Sequence, residues 1–489
     1  MNRQNFVPHL ALAVTLVFLA AFVGQMRHWK KSGSPPNIRT TEPGSRGCSA
    51  RHLEMRPTAP PVLAATNGPD EVLVRFKSGV SQARIEAIVA RFHDSVEDRI
   101  ENVNGLVAIE DFDADVDAEA VAKEYAALSD AVDYAEPNYA INLDPTENQR
   151  LGNDDADTSD EIDEADTPND PMFAEQWSLV NQGQKAGKEG ADIKALAAWS
   201  KTKGSAKVVV AVLDSGVDYT HEDLAPNMWI RPDTLPAYED AELGLVDDLN
   251  GFDAADLGDP MDDNGHGTHC AGIIGASGDN GLGIAGINWK VSIMPLKFIG
   301  RNGSGTTKAA IEAINYVIQR KKAGVNVRII SASWGSTQRS KALEDAIRRA
   351  GDEGILFIAA SGNDSADADK RPHYPSGYKL PNVISVAALD RSDALASFSN
   401  YGAKSVHIAA PGKDIMSSWL NNGYREASGT SMATPEVSGV AALILAQSPK
   451  MTVAEVRARL FKSVDPLPGL AGKVVTGGRL NAAKAVGAE

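Results

Sequence analysis

Apolar and polar positions divide the chain into five stretches. Residues 6–24 (FVPHLALAVTLVFLAAFVG) are almost uninterruptedly apolar and long enough to span a bilayer as a helix. Arg3 precedes the run, and Arg27, Lys30 and Lys31 follow it. Only Ala20 and Ala21 offer small residues for a cleavage site. Residues 1–31 therefore read as a signal peptide or an uncleaved membrane anchor, and the chain as exported: secreted, periplasmic or membrane-anchored. Residues 32–69, with Pro35, Pro36, Pro43, Pro57, Pro60, Pro61 and Pro69, read as a disordered linker.

Residues 70–142 alternate strand and helix periods. Glu71–Phe76 is a strand pattern. Ser81 is placed to cap a helix from Gln82 to Phe92, with Ile85, Ile88, Val89 and Phe92 on one face. Glu97–Ile100 and Leu106–Phe112 are strands about an Asn104-Gly105 turn. Asp117–Leu128 is a second helix and Val132–Ala135 a last strand. The order β-α-β-β-α-β predicts a small ferredoxin-like α+β domain. Residues 143–169 are acidic with few apolar anchors, which predicts an extended, mobile linker. A calcium loop there lacks the regular ligand spacing and turn glycine.

Residues 170–489 alternate buried-strand and helix patterns. The strands are Lys207–Leu213, Val291–Phe298, Val327–Ala332, Ile355–Ala360, Val383–Ala388 and Val406–Ala410. The helices are Lys308–Lys321, Lys341–Glu353 and Met432–Gln447. This alternation predicts α/β architecture, a doubly wound parallel sheet flanked by helices, with the site at the carboxyl ends of its strands.

Composition sharpens this only by position. The 489 residues carry a net charge of −17. Residues 1–69 contribute +6, 70–143 contribute −11, 144–169 contribute −9, and the last 320 only −3. No basic surface argues for nucleic acid. Two cysteines, Cys48 and Cys270, exclude a disulfide framework and read as free thiols.

Three segments carry chemistry. Asp214 ends a run of β-branched residues, where a carboxylate needs a partner, although Asp-Ser-Gly is also an ordinary turn. His266 lies between glycines that expose its imidazole, which can serve as a base if a carboxylate holds its other nitrogen. His266, His269 and Cys270 could instead share a metal, but no second ligand cluster accompanies them. Ser431 precedes a long helix of small residues, where the dipole favours a nucleophile whose attack makes an oxyanion. An N-cap serine is the plain alternative.

Jointly, Leu213-Asp214-Ser215-Gly216, Asn264-Gly265-His266-Gly267-Thr268-His269-Cys270 and Ser428-Gly429-Thr430-Ser431-Met432-Ala433-Thr434-Pro435 resemble the subtilisin-like serine proteases, of the thermitase and fervidolysin kind, over about Asp170 to Val486. The Asp, His, Ser order is the subtilisin example of triad chemistry. The resemblance implies a serine endopeptidase acting through an acyl-enzyme, with Asp214, His266 and Ser431 as triad. Ile358–Asn363 matches the segment bearing the oxyanion-hole asparagine, Asn363. Ala360, Ser361 and Gly362 then line the substrate groove, and Ser333-Trp334-Gly335 pairs with the substrate backbone as an added strand. Trp334 could equally be core. Tyr374-Pro375 resembles a wall near the primary specificity pocket, often with a cis peptide, which places Asp364 and His373 nearby.

The resemblance also implies structural calcium and no catalytic cofactor. Asp170, Asp223 and Asn280 map onto one site, with carbonyls near Ser277, Leu282 and Ile284; Asp247, Asp248, Asn250 and Asp253 form a second candidate. Gly281–Gly286 spells G-x-G-x-x-G, but a helix pattern precedes it and a strand follows, the reverse of a dinucleotide site. Glu436 stands where many members carry His, which implies altered packing or pH response. Residues 70–142 resemble the family's prodomains, ending in Tyr134-Ala135-Glu136-Pro137-Asn138-Tyr139. The expected product is a monomeric zymogen whose prodomain inhibits in cis and whose self-cleavage falls between about Tyr139 and Asp170. A catalytically dead peptide-binding member is the alternative, disfavoured because all four catalytic residues are present.

Overall fold

The structure, a computed structural model, describes residues 71–100, 103–110, 117–144, 147–149, 167–240, 244–488. The apolar run 6–24, the linker 32–69, Cys48 and most of the acidic stretch lie outside the described residues. Among the described residues no helix is long and apolar enough to cross a membrane.

The small domain forms as its periodicity predicts. Strands Glu71–Phe76, Ser95–Ile100, Leu106–Glu110 and Val132–Pro137 make one antiparallel sheet, with Glu71–Phe76 between Leu106–Glu110 and Val132–Pro137. Gly105 turns the chain at φ 80°, a left-handed value that glycine adopts without strain. Helices Gln82–Arg91 and Ala118–Ala126 start on side-chain caps from Ser81 and Asp117. Their apolar faces, including Ile88, Val89 and Tyr125, close a core with Val72, Val74 and Phe76.

The large domain is built on a nine-stranded sheet. Its order is Phe252–Asp253, Lys290–Lys297, Gly204–Asp214, Val327–Ala332, Leu356–Ala360, Val383–Leu389, Ile408–Pro411, Gly478–Arg479 and Asp465–Pro466. All pairings are parallel except the last. Helices Thr307–Lys322 and Lys341–Asp352 cover one face; His266–Gly275, Thr430–Gln447 and Ala482–Val486 cover the other. The chain runs outward from Gly204–Asp214 in both directions, so the order reverses between that strand and Val327–Ala332. A ligand site is expected at this switch point.

Among the elements that carry no prediction above, two stand out. The hairpin Ile415–Trp419 with Gly423–Ser428 precedes Ser431. Helix Val453–Lys462 starts on a Thr452/Glu455 capping box, a signal present in the sequence.

The small domain sits on the starts of two large-domain helices. Glu136 accepts from Ser340 Oγ at 2.5 Å and from the Lys341 and Ala342 amides at 2.7 and 3.0 Å. Asn138 Oδ1 accepts from the Lys308 amide at 2.9 Å. Both contacts satisfy orphan helix donors and complement the positive dipole end. Arg75 and Tyr134 meet Asp345 at 2.5 and 3.1 Å.

The end of the small domain and the first part of the predicted linker both pair with the large domain. Ala140–Asn142 pairs with Ser304–Thr306, and Glu147–Gln149 with Gly423–Ser428. Backbone donors and acceptors on sheet edges hold this stretch, with Ile141 buried as an apolar anchor.

Candidate active site

Asp214 ends the strand Gly204–Asp214 and is fully buried. Its Oδ1 accepts from the Ser215 amide at 2.8 Å and lies 2.7 Å from His266 Nδ1. His266 opens helix His266–Gly275, after Gly265 at φ 104°. A Cβ on Gly265 would strike the Trp419 ring, so the close approach needs glycine. Buried Asp262 fixes this turn: its Oδ1 accepts from Ser215 Oγ and the Gly265 amide at 2.9 Å, and its Oδ2 from Thr268 Oγ1 at 2.6 Å. Burial lowers the His266 pKa, but the Asp214 carboxylate outweighs it and the net shift is upward.

Ser431 is the second residue of helix Thr430–Gln447, directly after the hairpin. Its Oγ donates to the Ser333 carbonyl at 2.9 Å. His266 Nε2 is buried without a hydrogen-bond partner. The hydroxyl is thus turned away from the imidazole, a common state of such pairs before substrate aligns them. Asn363 Oδ1 accepts from the Thr430 amide and hydroxyl, both at 2.9 Å. This fixes the amide with its oxygen toward the helix and its nitrogen at the other end.

The groove segments converge here. Gly335 bridges antiparallel to Asn142, and the Leu143 amide donates to the Gly303 carbonyl at 2.8 Å. Ile141 is buried beside Trp334, Tyr374 and Leu343. Of the predicted substrate-binding residues, Gly335 bridges Asn142 through its backbone, and the Ser333 carbonyl receives the Ser431 hydroxyl. Trp334 contributes backbone alone: its indole donates to the Leu213 carbonyl at 2.8 Å and packs on Phe298 within the core. Ala360 and Ser361 are buried behind the groove, and the Gly362 amide donates to Thr430 Oγ1 at 3.2 Å. The Tyr374–Pro375 peptide is cis.

A family model described as the subtilase family matches residues 205–485. A second, the fervidolysin N-terminal prodomain, matches residues 65–138.

The chain belongs to the subtilase family.

This subtilase is 36% identical over 356 residues to a thermophilic serine proteinase of Bacillus sp. (strain AK1), covering 73% of each chain. It is 37% identical over 321 residues to thermitase of Thermoactinomyces vulgaris, covering 65% of this chain and 99% of thermitase. Crystalline fervidolysin from Fervidobacterium pennivorans, a keratinolytic enzyme related to subtilisin, superposes with a TM-score of 0.67 at 24% identity. That match covers 86% of this chain and 61% of fervidolysin, and bears on the fold. The chain is a subtilisin-like serine protease with a prodomain.

The cation candidates separate. Asp170 and Asp223 are buried at the Gly281–Gly286 loop: Asp170 Oδ2 accepts from the Asp279 amide at 2.7 Å, and Asp223 Oδ1 from Asn280 Nδ2 at 2.8 Å. Burial pushes Asp170 up to about 6 and also raises Asp223. Two desolvated carboxylates beside an amide and loop carbonyls suit a hard cation. The 247–253 loop corrects its expectation. Asp248 turns inward to Arg231 at 2.9 Å, Arg320 at 3.3 Å and the Tyr316 hydroxyl at 2.9 Å. Asp253 accepts the Ala255 and Asp256 amides at 2.9 and 3.2 Å. Asp247 is exposed and Asn250 half-buried, and among the described residues no three acidic groups of this loop converge. Local sequence cannot show that two distant arginines claim Asp248.

The shared-metal alternative also fails at His269. Its Nε2 faces the Ile415 and Arg425 carbonyls at 3.1 and 3.0 Å, and burial lowers its pKa to about 3. Asp214, His266 and Cys270 do cluster within 4.8 Å, but Asp214 and His266 hold each other, and burial raises the Cys270 thiol well above its ordinary value. Sequence reasoning missed Asp144, which reaches His373; no local signal marks a polar linker residue as one that enters a pocket.

Proposed function

We propose that this subtilase is a serine endopeptidase working through Asp214, His266 and Ser431, made as a self-processing zymogen. The observation that carries it is the buried 2.7 Å contact of His266 Nδ1 with Asp214, which leaves Nε2 as the imidazole's one open nitrogen. Ser431 attacks the peptide carbonyl while Nε2 takes its proton. His266 then gives that proton to the leaving amine, and water hydrolyses the acyl-enzyme by the same steps reversed. Asp214 holds the tautomer and stabilises the imidazolium. The Ser431 amide at the helix start and the Asn363 side chain hold the oxyanion. Losing that side-chain donor costs about 2.7–4 kcal/mol of barrier.

The prodomain tail lies along the Ser304–Thr306 and Gly335 edges, as an inhibitor in cis would. Self-cleavage falls between Tyr139 and Asp170. Asp170, Asp223 and Asn280 hold structural calcium, which stabilises the fold and takes no part in catalysis. The chain is exported, by a cleaved signal or on an anchor at residues 6–24.

A fluorophosphonate probe tests this: wild type is labelled at Ser431 after maturation, and Ser431→Ala is neither labelled nor processed while its circular dichroism is unchanged. Processing by Ser431→Ala protein alone would remove Ser431 as nucleophile, and absence of labelling in matured wild type would favour a catalytically dead peptide binder.

A further inference from the structure

The pocket beside the reacting residues holds a carboxyl group facing an imidazole. Asp144 Oδ2 lies 3.5 Å from His373 Nε2, with the two side chains 15% and 3% exposed. The His373 ring is wedged between the two groove walls: a Cβ on Gly335 would strike it, and one on Gly362 would come within 2.9 Å. Gly335 lies just past strand Val327–Ala332 and bridges antiparallel to Asn142, and Gly362 adjoins Asn363.

The register says which peptide residue this pocket receives. Asn142 bridges Gly335, the Leu143 amide bonds the Gly303 carbonyl, and Glu147–Gln149 pairs with the hairpin just before Ser431. Counted two residues on from the Asn142–Gly335 bridge, Asp144 falls at the position a peptide in this register would offer to Ser431 as its acyl residue. Its side chain drops into the pocket that ends at His373.

We propose that His373 is a specificity-determining residue that makes this pocket select a carboxylate side chain, so that preferred substrates carry an acidic residue at the acyl position. This rests on the peptidase reading above.

A buried imidazole and a buried carboxylate are each costly alone and compensate one another only when the carboxylate is ionised and the ring protonated. Burial lowers the His373 pKa; Asp144, and then Asp364, with the Ala360 backbone, reverse this to a net rise. Binding an acidic residue therefore draws a proton onto His373. An amide of the same shape gains neither the charge pairing nor that proton, and an aliphatic residue leaves the ring with Asp364 and the Ala360 backbone alone.

Pro145 follows Asp144 in the sequence, so external peptides are the proper readout. Matured full-length-derived enzyme is assayed on peptides Ile-Asn-Leu-X followed by a fluorogenic leaving group, with X as Asp, Asn or Leu. We expect kcat/KM for Asp to exceed that for Asn by about tenfold or more at pH 6. The ratio falls as pH rises through the imidazole titration; a carboxylate at this position also raises the His266 pKa, and the His373 variant separates the two effects. His373→Gln brings the ratio toward unity. An Asp/Asn ratio near one in wild type, a ratio unmoved by His373→Gln, or Leu favoured over Asp would each overturn the proposal. Failure to cleave all three peptides, together with no probe labelling at Ser431, would instead overturn the peptidase reading.

Discussion

Glu136 of the prodomain accepts the Lys341 amide at 2.7 Å, so a residue outside the catalytic domain caps one of that domain's helices. The same carboxylate takes the Ala342 amide and the Ser340 hydroxyl, a full capping set supplied from another domain. Caps of this kind contribute on the order of 1–2 kcal/mol. Glu136→Ala is expected to weaken prodomain inhibition about tenfold with unchanged kcat of the matured enzyme, measured by titrating activity against added variant prodomain. An unaltered inhibition constant would mean that Arg75 and Asn138 carry the docking.

Acidic groups face one another across this interface. Burial, with Glu97 adding and Lys308 opposing, pushes Glu71 up to about 7. Burial and Asp98 raise Glu312 well above its ordinary value. These groups hold protons while docked and release them on separation, so the complex binds more protons than its parts and weakens as pH rises through about 7. Activity regained on diluting processed protein should therefore be small at pH 5.5 and large at pH 8.5. Glu312→Gln should flatten that profile.

Glu436 is fully buried in helix Thr430–Gln447, and burial, slightly offset by Ser178, lifts its pKa to about 8. A carboxyl raised in the folded state favours folding below the unfolded value and loses that contribution as pH climbs to the folded one. Unfolding free energy should decline between about pH 4.5 and 8, and Glu436→Gln should remove this slope in urea titrations. A slope unchanged in the variant would assign it to other groups.

The Asp170 and Asp223 carboxylates are costly to ionise in place without a counter-charge. Chelator should lower the melting temperature at pH 8, with a smaller effect near pH 5, where protons substitute for the cation. Asp223→Asn should abolish the chelator response. A melting temperature indifferent to chelator and calcium would leave the loop as a hydrogen-bonded turn.

What the sequence made legible was local. Asp214, His266, Asn363 and Ser431 each sit in a local run that motif spacing picks out, and the contact of Asp214 with His266 follows from two of those runs. The small domain's alternation likewise predicted its sheet. What stayed hidden was long-range pairing: Arg231 and Arg320 claiming Asp248, the hairpin edge recruiting Glu147–Gln149, and His373 meeting Asp144. An acidic stretch without apolar anchors gives no sign of which backbone edge it will join. The Thr452/Glu455 box is readable in the sequence, but its helix buries only Val456 and Leu460, too few to give a strong apolar period.

The unbroken chain lies on both sides of Ser431, at Ala140–Asn142 and again at Glu147–Gln149. While it stays covalent, occupancy of the groove is set by tether geometry and is the same at any protein concentration. A single cut between those two strands turns an intramolecular equilibrium into a bimolecular one. Under the self-processing proposed above, dilution after that cut would itself free the groove.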